Sequence, residues 1–106
     1  MKRGEIWWAR LPLPAGRRPV VLVSRDDAYA VRLKITVAEI STVVRAIASE
    51  VSLDRSSGMP RPCVINTDNL VTIPKSLLES MIVRLSSERL SALDAALAFS
   101  LGLDGE

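Results

Sequence analysis

Two short apolar runs, Glu5-Ile6-Trp7-Trp8-Ala9 and Val20-Val21-Leu22-Val23-Ser24, stand either side of Leu11-Pro12-Leu13-Pro14-Ala15-Gly16. This pattern constrains the fold most. The first run is short and aromatic, the second short and continuously apolar, and both suit a pleated strand. Two prolines and a glycine between them exclude regular structure. The reading is a pair of strands joined by a loop that ends in Arg17 and Arg18, directly before Pro19. That loop sets two guanidinium groups side by side at a rigid strand entrance. A guanidinium is a fixed fork of donors that matches a phosphate. Here a small protein would grip a nucleic-acid backbone.

The β pattern continues along the chain. Residues 33–44 are rich in Ile, Thr and Val, which favours a strand over a helix. Residues 50–53 alternate as an edge strand, and 55–62 form the clearest loop. Residues 63–66, 69–73 and 81–85 predict three further strands, and 26–29 a turn. Pro74 can open a single helical turn. After it comes one helix: Ser86 is an N-cap, Leu85 and Leu90 have the spacing of a hydrophobic staple, and Gly102 is a stop. Leu90, Leu93, Leu97 and Leu101 recur within it at helical spacing. The expected fold is mostly β: a small barrel of short strands with a C-terminal α-helix, residues 1–106 forming one domain.

Charge separates the two halves. Residues 1–61 carry eleven Lys/Arg against six Asp/Glu, and residues 62–106 carry three against six. A basic front half and an acidic tail suit a polyanion-binding face. The chain has no histidine and one cysteine, Cys63. This removes Ser-His-Asp and Cys-His catalysis, paired-histidine ribonuclease chemistry and nearly all zinc sites. No phosphate-binding glycine loop is present. No metal or cofactor is expected. With no apolar run near the ~20 residues of a membrane helix and no pattern of a signal peptide, a cytoplasmic location without membrane contact is expected. What remains is chemistry that needs positioning and positive charge, such as RNA cleavage by its own 2′-OH.

Several segments, in order, resemble one family. They are Arg3-Gly4-Glu5-Ile6-Trp7, Arg18-Pro19-Val20-Val21, Thr36-Val37-Ala38-Glu39-Ile40-Ser41, Val64-Ile65-Asn66-Thr67-Asp68-Asn69-Leu70-Val71-Thr72-Ile73, and Ile82-Val83-Arg84-Leu85-Ser86, followed by the Leu/Ala helix. Together they look like the MazF/PemK-type toxins. The resemblance implies an SH3-like barrel of the PemK/CcdB type and a homodimer. It implies metal-independent endoribonuclease activity on single-stranded mRNA, leaving a 2′,3′-cyclic phosphate and a 5′-hydroxyl. It also implies inhibition by a cognate antitoxin. Carried over by residue, Arg18 falls on the catalytic arginine and Ser41 on the catalytic Thr/Ser; of Ser41 and Thr42 only one can face the site, and register prefers Ser41. Arg17, Thr42, Arg45, Asp68 and Asn69 are the expected RNA-binding residues, with Asp68 and Asn69 equally readable as turn formers. Arg55 and Arg61 either steer RNA or keep the surface soluble. Glu39 is a candidate to take the 2′-OH proton, or a solvated or paired carboxylate. The same fold also serves a CcdB-like gyrase poison or a non-catalytic RNA-binding barrel.

Overall fold

The computed structural model describes residues 1–104. Six antiparallel strands form one sheet: β1 (Glu5–Arg10), β2 (Arg17–Leu22), β3 (Lys34–Ser41), β4 (Glu50–Leu53), β5 (Cys63–Pro74) and β6 (Leu78–Arg84), in the order β4-β5-β3-β2-β1-β6. Helix α1 (Ala28–Val31) and helix α2 (Ser87–Ser100) lie against it. The sheet curls into a half-barrel. Val51 and Leu53 of edge strand β4 reach the same core as Ile82 and Val83 of the opposite edge, β6. The seam between those edges is filled by the turn after β4. There Gly58 sits at φ +90°, and a Cβ on it would lie 2.7 Å from Val83 Cγ2, so glycine is what lets the turn rest on β6.

Both faces of the sheet carry apolar side chains. One core joins Ile6, Val21, Ile40, Leu53 and Ile65 to Leu93, Ala96 and Leu97 of α2. The other joins Ala9, Val20, Leu22, Val37 and Ile73 to Leu11, Ala28 and Tyr29 around α1. This explains why the run 20–22 is continuously apolar: a strand covered on both sides has no solvent face to alternate with. Among the described residues no helix is long and apolar enough to cross a membrane.

The C-terminal helix follows its sequence signals. The Arg89 N–H donates to Ser86 Oγ at 3.2 Å. Leu90 packs on the core that holds Leu85. At the other end Gly102 has φ +70°, its N–H donates to Phe99 O, and the Leu103 N–H donates to Ala98 O at 2.7 Å, the paired bonds of a Schellman stop.

Elsewhere the structure corrects the expectation. Strand β2 starts at Arg17, so Arg17 and Arg18 belong to a strand and not to a loop. Strand β3 ends at Ser41, where Ser41 Oγ accepts the Val43 N–H at 3.0 Å and turns the chain out of the ladder. Residues 63–66 and 69–73 are one strand, β5, with a bulge: Glu39 pairs with Asn66, while its neighbour Ala38 pairs with Leu70. The bulge arises because Thr67 turns inward, its Oγ1 lying 2.6 Å from Ser49 O and 3.2 Å from Ala96 O. The expected turn at 26–29 leads into helix α1, which buries Ala28 and Tyr29. Strand β6 begins at Leu78, three residues before its expected start.

Candidate functional site

Residues opposite one another in a ladder share a face of the sheet. Val20 faces Glu39, and Glu39 faces Asn66. Arg18, two residues before Val20, and Ser41, two after Glu39, therefore join them on one face, beyond the end of the apolar core. Arg18 Nη1 donates to Glu39 Oε1 at 3.2 Å. The Arg18 Nε is buried and donates to no described protein atom. A buried donor of this kind is normally satisfied, and an anion seated on the fork would do so.

Two cavities meet at this point. The first, about 550 Å³, has largely apolar walls that include Trp8, Pro19, Ile40, Met59 and Cys63, with Thr42 and Arg61 at its rim. The second, about 360 Å³, is polar and is lined by Glu39, Arg45, Asn66, Asp68 and Asn69. Arg18, Ser41 and Val43 line both. The arrangement can hold a phosphate on the Arg18 fork, with one flanking group in an apolar recess and the other in a polar one.

The walls of the polar cavity are pinned from behind. The Glu50 side chain is only 2% exposed, and its Oε1 accepts the N–H groups of Arg45 and Ala46, each at 2.9 Å. Ala46 is held at φ +55° there. Asp68 Oδ2 accepts from Ser49 Oγ at 2.7 Å, and Asn66 Oδ1 accepts the Asp68 N–H at 3.0 Å. The bulge in β5 thus presents Asp68 and Asn69 at the cavity wall.

Of the residues singled out from sequence, Arg18, Ser41, Thr42, Arg45, Asp68 and Asn69 come together around these two cavities. Arg17 does not. As the next residue of the same strand it points to the opposite face, where its Nε donates to Glu79 at 2.7 Å and its guanidinium lies 4.2 Å from the Trp8 ring centroid. The side-by-side arginine pair expected from sequence is therefore replaced by two arginines on two faces. Hydrogen bonds from Arg17 and Arg10 hold the Glu79 carboxyl below its ordinary range. Asn66 and Glu50 were not singled out from sequence. Strand alternation places Asn66 beside Glu39, while nothing local marks Glu50, whose role depends on the path of the 42–49 loop. Cys63 lines the apolar cavity, but burial pushes its thiol up, which makes it a poor nucleophile. Among the described residues no three His, Cys, Asp or Glu side chains gather as metal ligands would.

Residues 2–101 match the family model described as PemK-like, MazF-like toxin of type II toxin-antitoxin system. The chain is 38% identical over 96 residues to a probable endoribonuclease MazF5 of Mycobacterium tuberculosis, covering 90% of this chain and 87% of that protein. It is 34% identical over 103 residues to a probable endoribonuclease MazF2 of the same species, covering 96% and 99%. Among solved structures, Mycobacterium tuberculosis toxin MazF-mt6 superposes with a TM-score of 0.86 at 34% identity, covering 94% of this chain and 98% of that one.

Proposed function

From a chain that belongs to the PemK-like, MazF-like toxin family of type II toxin–antitoxin systems, we propose an endoribonuclease that cuts single-stranded mRNA at short sequences without metal or cofactor. The observation that carries this reading is Arg18, paired to Glu39 and standing with Ser41 where an apolar and a polar cavity meet. The substrate supplies the nucleophile. Its 2′-oxygen attacks the adjacent phosphorus as it loses its proton, the bond to the 5′-oxygen breaks, the leaving 5′-oxygen takes a proton from water, and a 2′,3′-cyclic phosphate and a 5′-hydroxyl result.

Arg18 offers its free fork to the non-bridging oxygens as charge builds on the phosphorane. A guanidinium stays protonated in proteins, so Arg18 does not accept the 2′-OH proton. Glu39, the carboxylate bonded to Arg18, takes it. Ser41 places its hydroxyl beside the same phosphate, and Thr42 stands at the apolar recess. The polar cavity takes the neighbouring base, with Asp68 and Asn69 reading its edge and Arg45 at the backbone. Arg17 supports the site through Trp8, whose ring it covers and which lines the apolar recess. In this reading the protein acts in the cytoplasm as a homodimer and is silenced by a cognate antitoxin; the match to toxins of type II toxin-antitoxin systems supports the last of these.

The test is incubation of the purified protein with a long unstructured RNA in excess EDTA, followed by mapping of the ends. Discrete cuts with cyclic phosphate and 5′-hydroxyl ends are expected. Intact RNA beside an active control nuclease overturns the reading.

A further inference from the structure

Arg55, Arg84 and Arg89 line a third cavity, of about 520 Å³, at the seam where the turn after β4 packs on β6. On two segments, successive residues line this cavity and the apolar recess. On the turn, Gly58 belongs to the seam and Met59 to the recess; on β6, Val83 belongs to the seam and Ile82 to the recess. Arg61 also lines the recess.

Of the three seam arginines, Arg89 makes a long ion pair with Asp54 at 3.9 Å, Arg84 stands opposite Glu5 in the β1–β6 ladder, and Arg55 has no carboxylate partner among the described residues. Arg3 pairs with Asp94, Arg10 and Arg17 with Glu79, Arg18 with Glu39, and Arg25 with Asp27. Among the described residues, neither Arg55, Arg61 nor Arg84 makes a carboxylate ion pair. Arg89 is fixed in place by donating from Nη1 to Ser52 O. The Asp54 carboxylate accepts through Oδ1 from both the N–H and the Oγ of Ser56, and its ion pair with Arg89 Nη2 is long, at 3.9 Å. Glu88 is the one carboxylate in the lining, against three guanidinium groups. Ser86 Oγ also lies there. It accepts the Arg89 N–H, which leaves its own proton for an acceptor.

We propose that the seam is a phosphate subsite separate from the Arg18 junction, taking the backbone of the RNA strand as it runs on past Arg61. This rests on the endoribonuclease reading of the two neighbouring cavities. The ligand proposed for the Arg18 junction is RNA, which makes its backbone the occupant ahead of an acidic peptide. Forked donors are the geometry that phosphate oxygens match.

The experiment is equilibrium binding of uncleavable 2′-O-methyl oligoribonucleotides over a salt series. One oligonucleotide is short enough to fill only the Arg18 junction, and one is long, of about twelve nucleotides. The protein is compared with the double variant R55A/R84A, which leaves Arg89 and its bond to β4 intact. For the long oligonucleotide the double variant should bind about tenfold more weakly, with its log K against log salt slope shallower by about 0.7 for each phosphate no longer neutralised. Binding of the short one should not change, and kcat on a long RNA should hold while KM rises. R55K/R84K should keep most of the slope.

An unchanged affinity and slope for the long oligonucleotide, in a protein that binds and cuts RNA, overturns the subsite alone. Equal losses for both lengths overturn it too. If the unaltered protein binds neither oligonucleotide, the endoribonuclease reading fails and takes the subsite with it. A double variant that binds RNA normally but loses an acidic peptide would assign the seam to a protein partner and overturn the proposal.

Discussion

Arg18 commits one donor to Glu39 and keeps the rest of its fork for a ligand. Its replacement should therefore hurt chemistry much more than folding. Arg18→Ala is expected to lower kcat by about 10²–10³-fold, the usual cost of losing a donor to a developing oxyanion, while the urea midpoint stays put. Arg18→Lys should recover little, because an ammonium restores charge without the fork. Glu39 allows a finer test. Glu39→Gln can still accept from Arg18 but cannot take a proton. If Glu39 only positions Arg18, the change is mild. The proton-acceptor role instead predicts a drop in kcat of about 10²-fold or more, read from single-turnover cleavage. At this scale the sequence is half legible. Arg18 and Ser41 stand out by their neighbours, and alternation alone puts them on one face. Arg17 looks like a partner only while it is counted in the loop; once the ladder takes in Arg17, the same alternation sends it to the other face.

Single contacts between elements decide whether the half-barrel closes. At the seam Gly58 combines φ +90° with a neighbour, Val83 Cγ2, 2.7 Å from where a Cβ would stand. Gly58→Ala then carries two costs: about 1 kcal/mol for the left-handed backbone and about 1–3 kcal/mol for overpacking. The sum should appear in a urea melt. Val83→Ala placed on top should relieve the 2.7 Å contact with Cγ2, leaving the 3.1 Å contact with Val83 Cβ and the backbone part, so the double variant is expected to be more stable than Gly58→Ala alone. Strict additivity of the two changes would show that the methyl contact is not the cause. Elements specified by local chemistry are readable in advance. The cap at Ser86, the staple of Leu85 and Leu90 and the stop at Gly102 all act within a turn or two of themselves. The bulge in β5 is not readable, because what bends it is Thr67 reaching Ser49 and Ala96, far away in sequence. The polar wall of the site depends on that bulge, so Asp68 and Asn69 can be picked out while their setting cannot.

The molecule as a whole is a sheet with a core on each face, and the two covers differ greatly in size. Helix α2 covers one face with fourteen residues, whereas α1 has only four. Tyr29 does much of the sealing on the smaller side. It is 8% exposed, its Oη donates to Ser24 O at 3.0 Å, and its backbone O accepts from Lys75 Nζ. Burial pushes its phenol up to about 12, against about 10 for a free tyrosine. The folded chain thus holds this proton more tightly than the unfolded one. The stability tied to the neutral ring is complete below about pH 10, falls as pH rises, and is gone above about 12. A difference of about two pH units, at about 1.4 kcal/mol each, sets an upper bound near 3 kcal/mol. That is a large share of the roughly 5–15 kcal/mol that holds a domain of this size together. Tyr29→Phe should cost about 1 kcal/mol at neutral pH through the lost hydrogen bond, yet decline less steeply between about pH 10 and 12. Urea midpoints for both proteins across that range make the comparison, and the lysines, common to both, cancel. Parallel curves would mean that the ring is not sealed from solvent and that the smaller core is held by its aliphatic strands alone. Convergence of the two curves toward high pH would make α1, through one phenol, the cover whose opening limits the stability of the whole fold in alkali.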